Sequence, residues 1–180
     1  REMKGYALFH NLTNGTQVDQ FIENALANNG TMVSTIEKMR IGIAPGGMSP
    51  EEDMDSGGAS YFFTRIHKLP AQGAPTTRGL YFKKQLLRRM DAVSYNHDAY
   101  GRVTDDYVRQ RRGSQPKDWK QFARASSNET IFKYSVTLLD NVEYIVAGSR
   151  AERDRVLKSF TSRGITALPD GRKIEDVVLA

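Results

Sequence analysis

The hydrophobic pattern changes period several times along the chain, and each change marks an element. Residues 5–12, Gly-Tyr-Ala-Leu-Phe-His-Asn-Leu, are β-prone and end at Thr13-Asn14-Gly15, which predicts a strand running into a turn. From Gln17 to Asn28 the apolar residues Val18, Phe21, Ile22, Ala25 and Leu26 recur at helical spacing, and Asn29-Gly30 follows as a stop signal. Thr31 to Arg40 reads as a second short helical stretch, and residues 41–58, rich in Gly, as a long irregular loop. Ser60 to Ile66 is aromatic and predicts a central strand. Gly79 to Phe82 reads as strand, Lys83 to Met90 as a short basic helix and Ala92 to Asn96 as another short strand.

Residues 98–128 hold few apolar side chains and read as loop with one helical turn around Asp105 to Arg109. Alternation then returns: Phe132, Tyr134, Val136 and Leu138 interleave with Lys133, Ser135 and Thr137, a half-buried strand. Val142 to Ala147 makes a further strand, Arg150 to Arg163 a helix with Val156, Leu157 and Phe160 inward, and Gly164 to Ala167 a short strand. Pro169-Asp170-Gly171 is a turn before a last helical segment. Several short strands broken by modest helices predict an α+β fold.

At 180 residues the chain fits one domain, 1–180, against about 150 residues per domain. Its first residue, Arg1, reads as the start of a domain cut from a longer chain. There is no cysteine, which removes disulfides, thiolate zinc sites and a Cys nucleophile, and fits a cytoplasmic location or delivery into a target cell's cytoplasm. No apolar run approaches the roughly 18 residues of a membrane span, so no membrane partner is expected. Three scattered His suggest no metal. Four Asn-x-Thr triplets begin at Asn11, Asn14, Asn29 and Asn128, and are taken as chance matches to a glycosylation signal.

The net charge of +5 is uneven: residues 78–124 hold 12 Lys/Arg against 5 Asp/Glu. That stretch interleaves Lys83, Lys84, Arg88, Arg89, Arg109, Arg111 and Arg112 with Tyr81, Phe82, Tyr107 and Trp119, a pattern that can meet a phosphate backbone and stack on bases. It also reads as a solvated helix face followed by a basic loop.

Three places could carry chemistry. His10 shares a pleat face with Tyr6, Leu8 and Leu12, where a lone His is ordinarily a core residue. Tyr61-Phe62-Phe63 follows Gly57-Gly58, which permits close approach of a ligand. Glu129, in Asn128-Glu129, opens a strand on the side of Ile131 and Lys133, away from the core; taken alone it is a solvated carboxylate.

In order along the chain, these residues resemble the ADP-ribosyltransferase superfamily, especially the branch with DarT-type DNA-modifying toxins, and more remotely the poly-ADP-ribose polymerases and tRNA 2′-phosphotransferases. The matching residues are Leu8-Phe9-His10-Asn11-Leu12-Thr13, the helix Gln17 to Asn28, the segment from Ser34-Thr35 to Arg40-Ile41-Gly42, Gly58 to Arg65, and Asn128-Glu129. The spacing around Tyr61 to Phe63 aligns in more than one register, and a second nicotinamide-stacking aromatic is not evident.

The resemblance implies a split antiparallel β-sheet core with short flanking helices, and NAD as co-substrate. It implies that Glu129 stabilises the oxocarbenium-like sugar cation formed when the nicotinamide bond breaks, with Arg40 reaching the pyrophosphate or the reacting base. His10, Asn11 and Thr13 would bind NAD, and Tyr61 or Phe63 would stack on nicotinamide. The loop before Glu129, with Trp119, Phe122 and Arg124, together with Arg111 and Arg112, would hold a macromolecular acceptor, nucleic acid in preference to protein. A toxin or defence effector with an antitoxin partner or further parent-chain domains fits this reading. A non-catalytic nucleic-acid-binding module using residues 78–124 is the alternative, and removal of an RNA 2′-phosphate is a third, for which no basic set can be placed.

Overall fold

The computed structural model describes residues 5–13, 17–34, 37–38, 60–95 and 128–180. They form an α+β fold built on a seven-stranded, mostly antiparallel sheet with a few short helices. The strands are β1 (Tyr6–Asn11), β2 (Thr31–Val33), β3 (Tyr61–Lys68), β4 (Gly79–Phe82), β5 (Val93–Tyr95), β6 (Glu129–Lys133), β7 (Ser135–Thr137), β8 (Val142–Val146) and β9 (Val178–Leu179). The helices are α1 (Val18–Ala27), α2 (Arg150–Thr161) and α3 (Ile174–Val177), with a 3₁₀ helix over Lys84–Arg88. The large sheet has the order β5-β6-β3-β1-β4-β8-β9, parallel only between β8 and β9, while β2 and β7 pair separately. No helix among the described residues is long and apolar enough to cross a membrane.

Because side chains alternate across a strand, the pairing register assigns every residue to a face. Leu8 lies between Ile66 and Phe82, and Phe62 pairs with Phe132. These join Leu80, Ile145 and the buried stripe of α1 (Val18, Phe21, Ile22, Ala25, Leu26) in the main core, to which α2 adds Val156 and Phe160. The opposite face carries a smaller cluster of Ala7, Phe9, Tyr81 and Val146. There Phe9 sits between His67 and Tyr81, with ring centroids 4.7 and 4.6 Å away.

Gly79 makes the β1–β4 contact possible. Its φ is +150°, and a Cβ there would lie 2.4 Å from the carbonyl oxygen of His10, so a side chain at this position would push the two strands apart. Asn29 and Gly30 both take positive φ and end α1, as the sequence predicts, with the Gly30 amide donating to the Ala25 carbonyl at 2.8 Å.

Four expectations need correction. Thr31–Val33 is a strand, not helix, because its β-branched ends pair with Ser135–Thr137 and cover Met32. The alternating segment Phe132 to Leu138 is two strands in two sheets: Tyr134 takes φ +63° and is exposed, which turns the chain out of the large sheet. The short basic helix is one 3₁₀ stretch, Lys84–Arg88. Residues 164–167 form only a single bridge, Ala167 with Lys173, and the tail strand β9 instead docks on β8.

Candidate functional site

β6 is an inner strand, held between β3 and β5, and Glu129 is its first residue. The preceding Asn128 fixes where that strand starts. Buried at 2 % exposure, its carboxamide accepts from the Ile66 amide at 2.7 Å and donates to the Ile66 carbonyl at 3.2 Å. The side chain thereby extends the β3–β6 ladder by one rung where the backbone itself is only entering it, and satisfies two buried β3 groups.

On the Glu129 face, β3 presents Tyr61, Phe63, Arg65 and His67. One step beyond the Thr64–Thr130 pair, Arg65 stands across from Glu129, and on its other side it pairs with Phe9. Asn11 belongs to the same face of β1. Tyr61 is almost fully buried and covered by Lys133, whose Nζ lies 4.7 Å from the ring centre and 3.2 Å from the hydroxyl. Phe63 is only half-buried. Asn11 is tied locally: its Oδ1 accepts from the Thr13 amide at 2.9 Å and the Thr13 hydroxyl at 2.7 Å, closing a small turn after β1.

His10 is on the other face, with Leu8, as its sequence parity predicts. Its ring stacks on Phe62 with centroids 4.5 Å apart and lies 5.1 Å from Phe21 of α1. Burial pushes the imidazole down to about 4; the Phe63 carbonyl opposes this and nearby Lys38 reinforces it. The Nδ1 to Phe63 carbonyl distance is 2.6 Å, and since a carbonyl only accepts, Nδ1 carries the proton and Nε2 the lone pair. Beside His10, a polar row crosses the otherwise apolar face. Thr64 Oγ1 donates to the Thr130 carbonyl at 2.6 Å, and the Thr130 and Ser94 hydroxyls share a bond of 2.9 Å.

The structure therefore brings Glu129, Tyr61, Phe63 and Asn11 to one face, with Thr13 tied to Asn11, and sets His10 on the other. Arg40, Arg111, Arg112, Trp119, Phe122 and Arg124 lie outside the described residues. No group of three His, Asp or Glu able to hold a metal occurs among the described residues. Farther along the Glu129 face, a cleft of about 530 Å³ opens between the Leu69–Pro75 loop and β4, walled by Ala7, Tyr81 and Tyr144.

Two charged residues escaped the sequence reading. Arg65 falls inside the predicted strand Ser60 to Ile66 and ends the matching segment Gly58 to Arg65, with no role of its own in the sequence. Glu152 lies in the third position of α2 and is 3 % exposed. Burial alone would raise its carboxyl, but Arg78 and the Gly148 and Val18 amides outweigh that and hold it down to about 2. The signal for it was Ser149-x-x-Glu152, a helix-start pattern, and Ser149 does accept from the Glu152 amide at 3.1 Å.

Comparison of the chain with protein-family models, curated proteins and solved structures yields no match.

Proposed function

We propose that this chain is a mono-ADP-ribosyltransferase that breaks the nicotinamide–ribose bond of NAD and passes ADP-ribose to a macromolecular acceptor, nucleic acid ahead of protein. The observation that carries the reading is the placement of Glu129. A half-buried carboxylate heads an inner strand, its backbone is pinned by the Asn128 clamp, and an accessible aromatic, Phe63, shares its face. The α+β sheet is compatible with the split-sheet core that the resemblance implies.

In this reading Glu129 accepts a hydrogen bond from the ribose 2′-hydroxyl and opposes the positive charge that grows on the sugar as nicotinamide leaves. A carboxylate fixed by its strand needs little reorganisation at that moment. Phe63 rather than Tyr61 stacks on nicotinamide, because Lys133 already covers the Tyr61 ring. We assign His10 a positioning role in place of direct contact with NAD: its Nδ1–H holds the carbonyl of Phe63 from beneath the sheet. Arg40 and the Trp119, Phe122, Arg124, Arg111 and Arg112 set keep their proposed roles toward pyrophosphate and acceptor.

The test is incubation with NAD labelled in its adenylate half and separate pools of DNA, RNA and protein, comparing wild type with Glu129→Gln. Glu129-dependent release of nicotinamide with label on one pool is expected. Absence of nicotinamide release in all pools, or equal release by the variant, rejects the proposal.

A further inference from the structure

Among the described residues Arg65 is the one cation with a buried donor that lacks a hydrogen-bond partner, its Nε. The other arginines are accounted for. Arg78 pairs with Glu152, Arg89 with Asp91, Arg155 with Asp19, Arg163 with Glu23 and Arg172 with Asp170. Arg153 donates to the Val178 and Glu175 carbonyls, and Arg88 and Arg150 are exposed to water. A guanidinium donor taken out of water without a partner costs stability, and such a group in an otherwise satisfied sheet calls for an explanation.

Its position supplies one. Arg65 is central in the sheet, on the Glu129 face, between Phe63 and His67 along β3. Its charge is felt there: the His67 imidazole is lowered first by burial and then by Arg65. Pleat alternation aims both Arg65 and Glu129 at the same side, yet the carboxylate across the strand leaves Nε without a bond.

We infer that Arg65 is a phosphate-binding residue of this face. Five N–H donors in a planar fork suit a phosphate oxygen pair, and they exceed what a single carboxylate across the strand can absorb. The inference rests on the reading of the Glu129 face as a ligand site. The phosphate belongs either to the pyrophosphate of NAD or to the backbone of a nucleic-acid acceptor.

The experiment measures binding of four probes to wild type, Arg65→Gln and Arg65→Lys: inorganic pyrophosphate, ADP-ribose, nicotinamide and a ten-nucleotide single-stranded DNA. Loss of one charge-assisted contact weakens binding about 10- to 100-fold. Arg65→Gln is expected to lose that factor for pyrophosphate and for ADP-ribose or the oligonucleotide, with nicotinamide unchanged and Arg65→Lys intermediate. Beside the loss for pyrophosphate, loss for ADP-ribose but not the oligonucleotide assigns the phosphate to NAD, and loss for the oligonucleotide but not ADP-ribose assigns it to the acceptor.

Affinities in Arg65→Gln within twofold of wild type for every phosphate probe overturn the inference, as does a wild type that binds none of them. Should Arg65→Gln fail to fold, the same comparison is read from Arg65→Lys, which keeps the charge but not the fork. The two proposals fail separately. Glu129-dependent NAD cleavage with unchanged phosphate affinities in Arg65→Gln removes only the role of Arg65. Arg65-dependent pyrophosphate binding without NAD cleavage removes only the transferase.

Discussion

Two acidic centres in this molecule are built in opposite ways. At Glu152 every oxygen is used: Oε1 accepts from the Gly148 amide at 2.7 Å and from Arg78 Nε at 3.2 Å, and Oε2 accepts from Arg78 Nη2 at 2.9 Å and the Val18 amide at 3.0 Å. One carboxylate thus caps the start of α1, the start of α2 and the approach to β4, where helix dipoles favour negative charge. At Glu129 the backbone is clamped with the same care, but the neighbouring guanidinium keeps an idle buried donor. A charge whose bonds are all filled from within its own chain is a structural knot. At Arg65 a buried donor stays unfilled, which packing of the chain on itself does not explain.

The largest expected effect tests the knot. Glu152→Ala leaves Arg78 facing a hole and frees two helix-start amides, and should cost about 3–5 kcal/mol of stability, read as a lower urea midpoint at unchanged slope. Nicotinamide release per folded molecule should be retained. A loss below about 1 kcal/mol would dissolve the contrast between the two centres.

Glu129→Gln should behave in the reverse manner. Turnover falls by about 10²-fold or more, as when one preorganised group is removed from a developing charge, while the thermal midpoint changes little. Steady-state kinetics and thermal unfolding of the same preparation separate the two readouts.

Acid should weaken the His10 packing and the Glu152 centre in sequence. The folded His10 imidazole is held at about 4, below its ordinary 6.5, so the folded state binds fewer protons and stability falls as pH drops from 6.5 toward 4. His67, also lowered by burial and by Arg65, adds to the loss that begins below pH 6.5. The folded Glu152 carboxyl is held at about 2, below 4.5, so its contribution is complete above pH 4.5 and is lost between 4.5 and 2. The His10 and Glu152 shifts are each worth at most about 3–4 kcal/mol. Urea midpoints from pH 7 to pH 3 should show the upper phase shrinking in His10→Gln and the lower phase weakened in Glu152→Gln.

The smallest effect concerns His10 itself. His10→Ala removes a ring packed on Phe62 and Phe21 together with its bond to Phe63, at a cost of about 2 kcal/mol. The increase in thermal midpoint caused by saturating NAD should survive. Retained stability with a vanished NAD response would place His10 in contact with the dinucleotide instead.

Much of the architecture was legible locally. The stripe Val18, Phe21, Ile22, Ala25 and Leu26 is sufficient to specify α1, because a helix's inward face repeats within a few residues. The helix from Arg150 follows for the same reason, and the strand Gly79 to Phe82 is marked by its β-prone aromatic residues. Glu129 was legible as a strand-opening carboxylate, though not as one held in place by Asn128. The break at Tyr134 was not legible, since alternation continues through it and only the competition between two sheets for the chain puts that residue at φ +63°.

The sequence by itself determined the α+β class, the positions of most strands and which residues share a strand's face, all of which follow from period and turn chemistry within a dozen neighbours. Tertiary structure alone decided the order of strands, and with it which faces meet. His10 and Glu129, separated by more than a hundred residues, lie on opposite sides of one sheet because the β1–β3 and β3–β6 registers bring His10 level with Thr64 and Thr130, one residue short of Glu129. A one-residue step reverses a side chain's direction, and no local pattern records the register of a distant pair. The same long-range pairing set Arg65 beside Glu129 and joined Arg78 to Glu152 across 74 positions, so that every oxygen of Glu152 is used while Arg65 Nε keeps no partner.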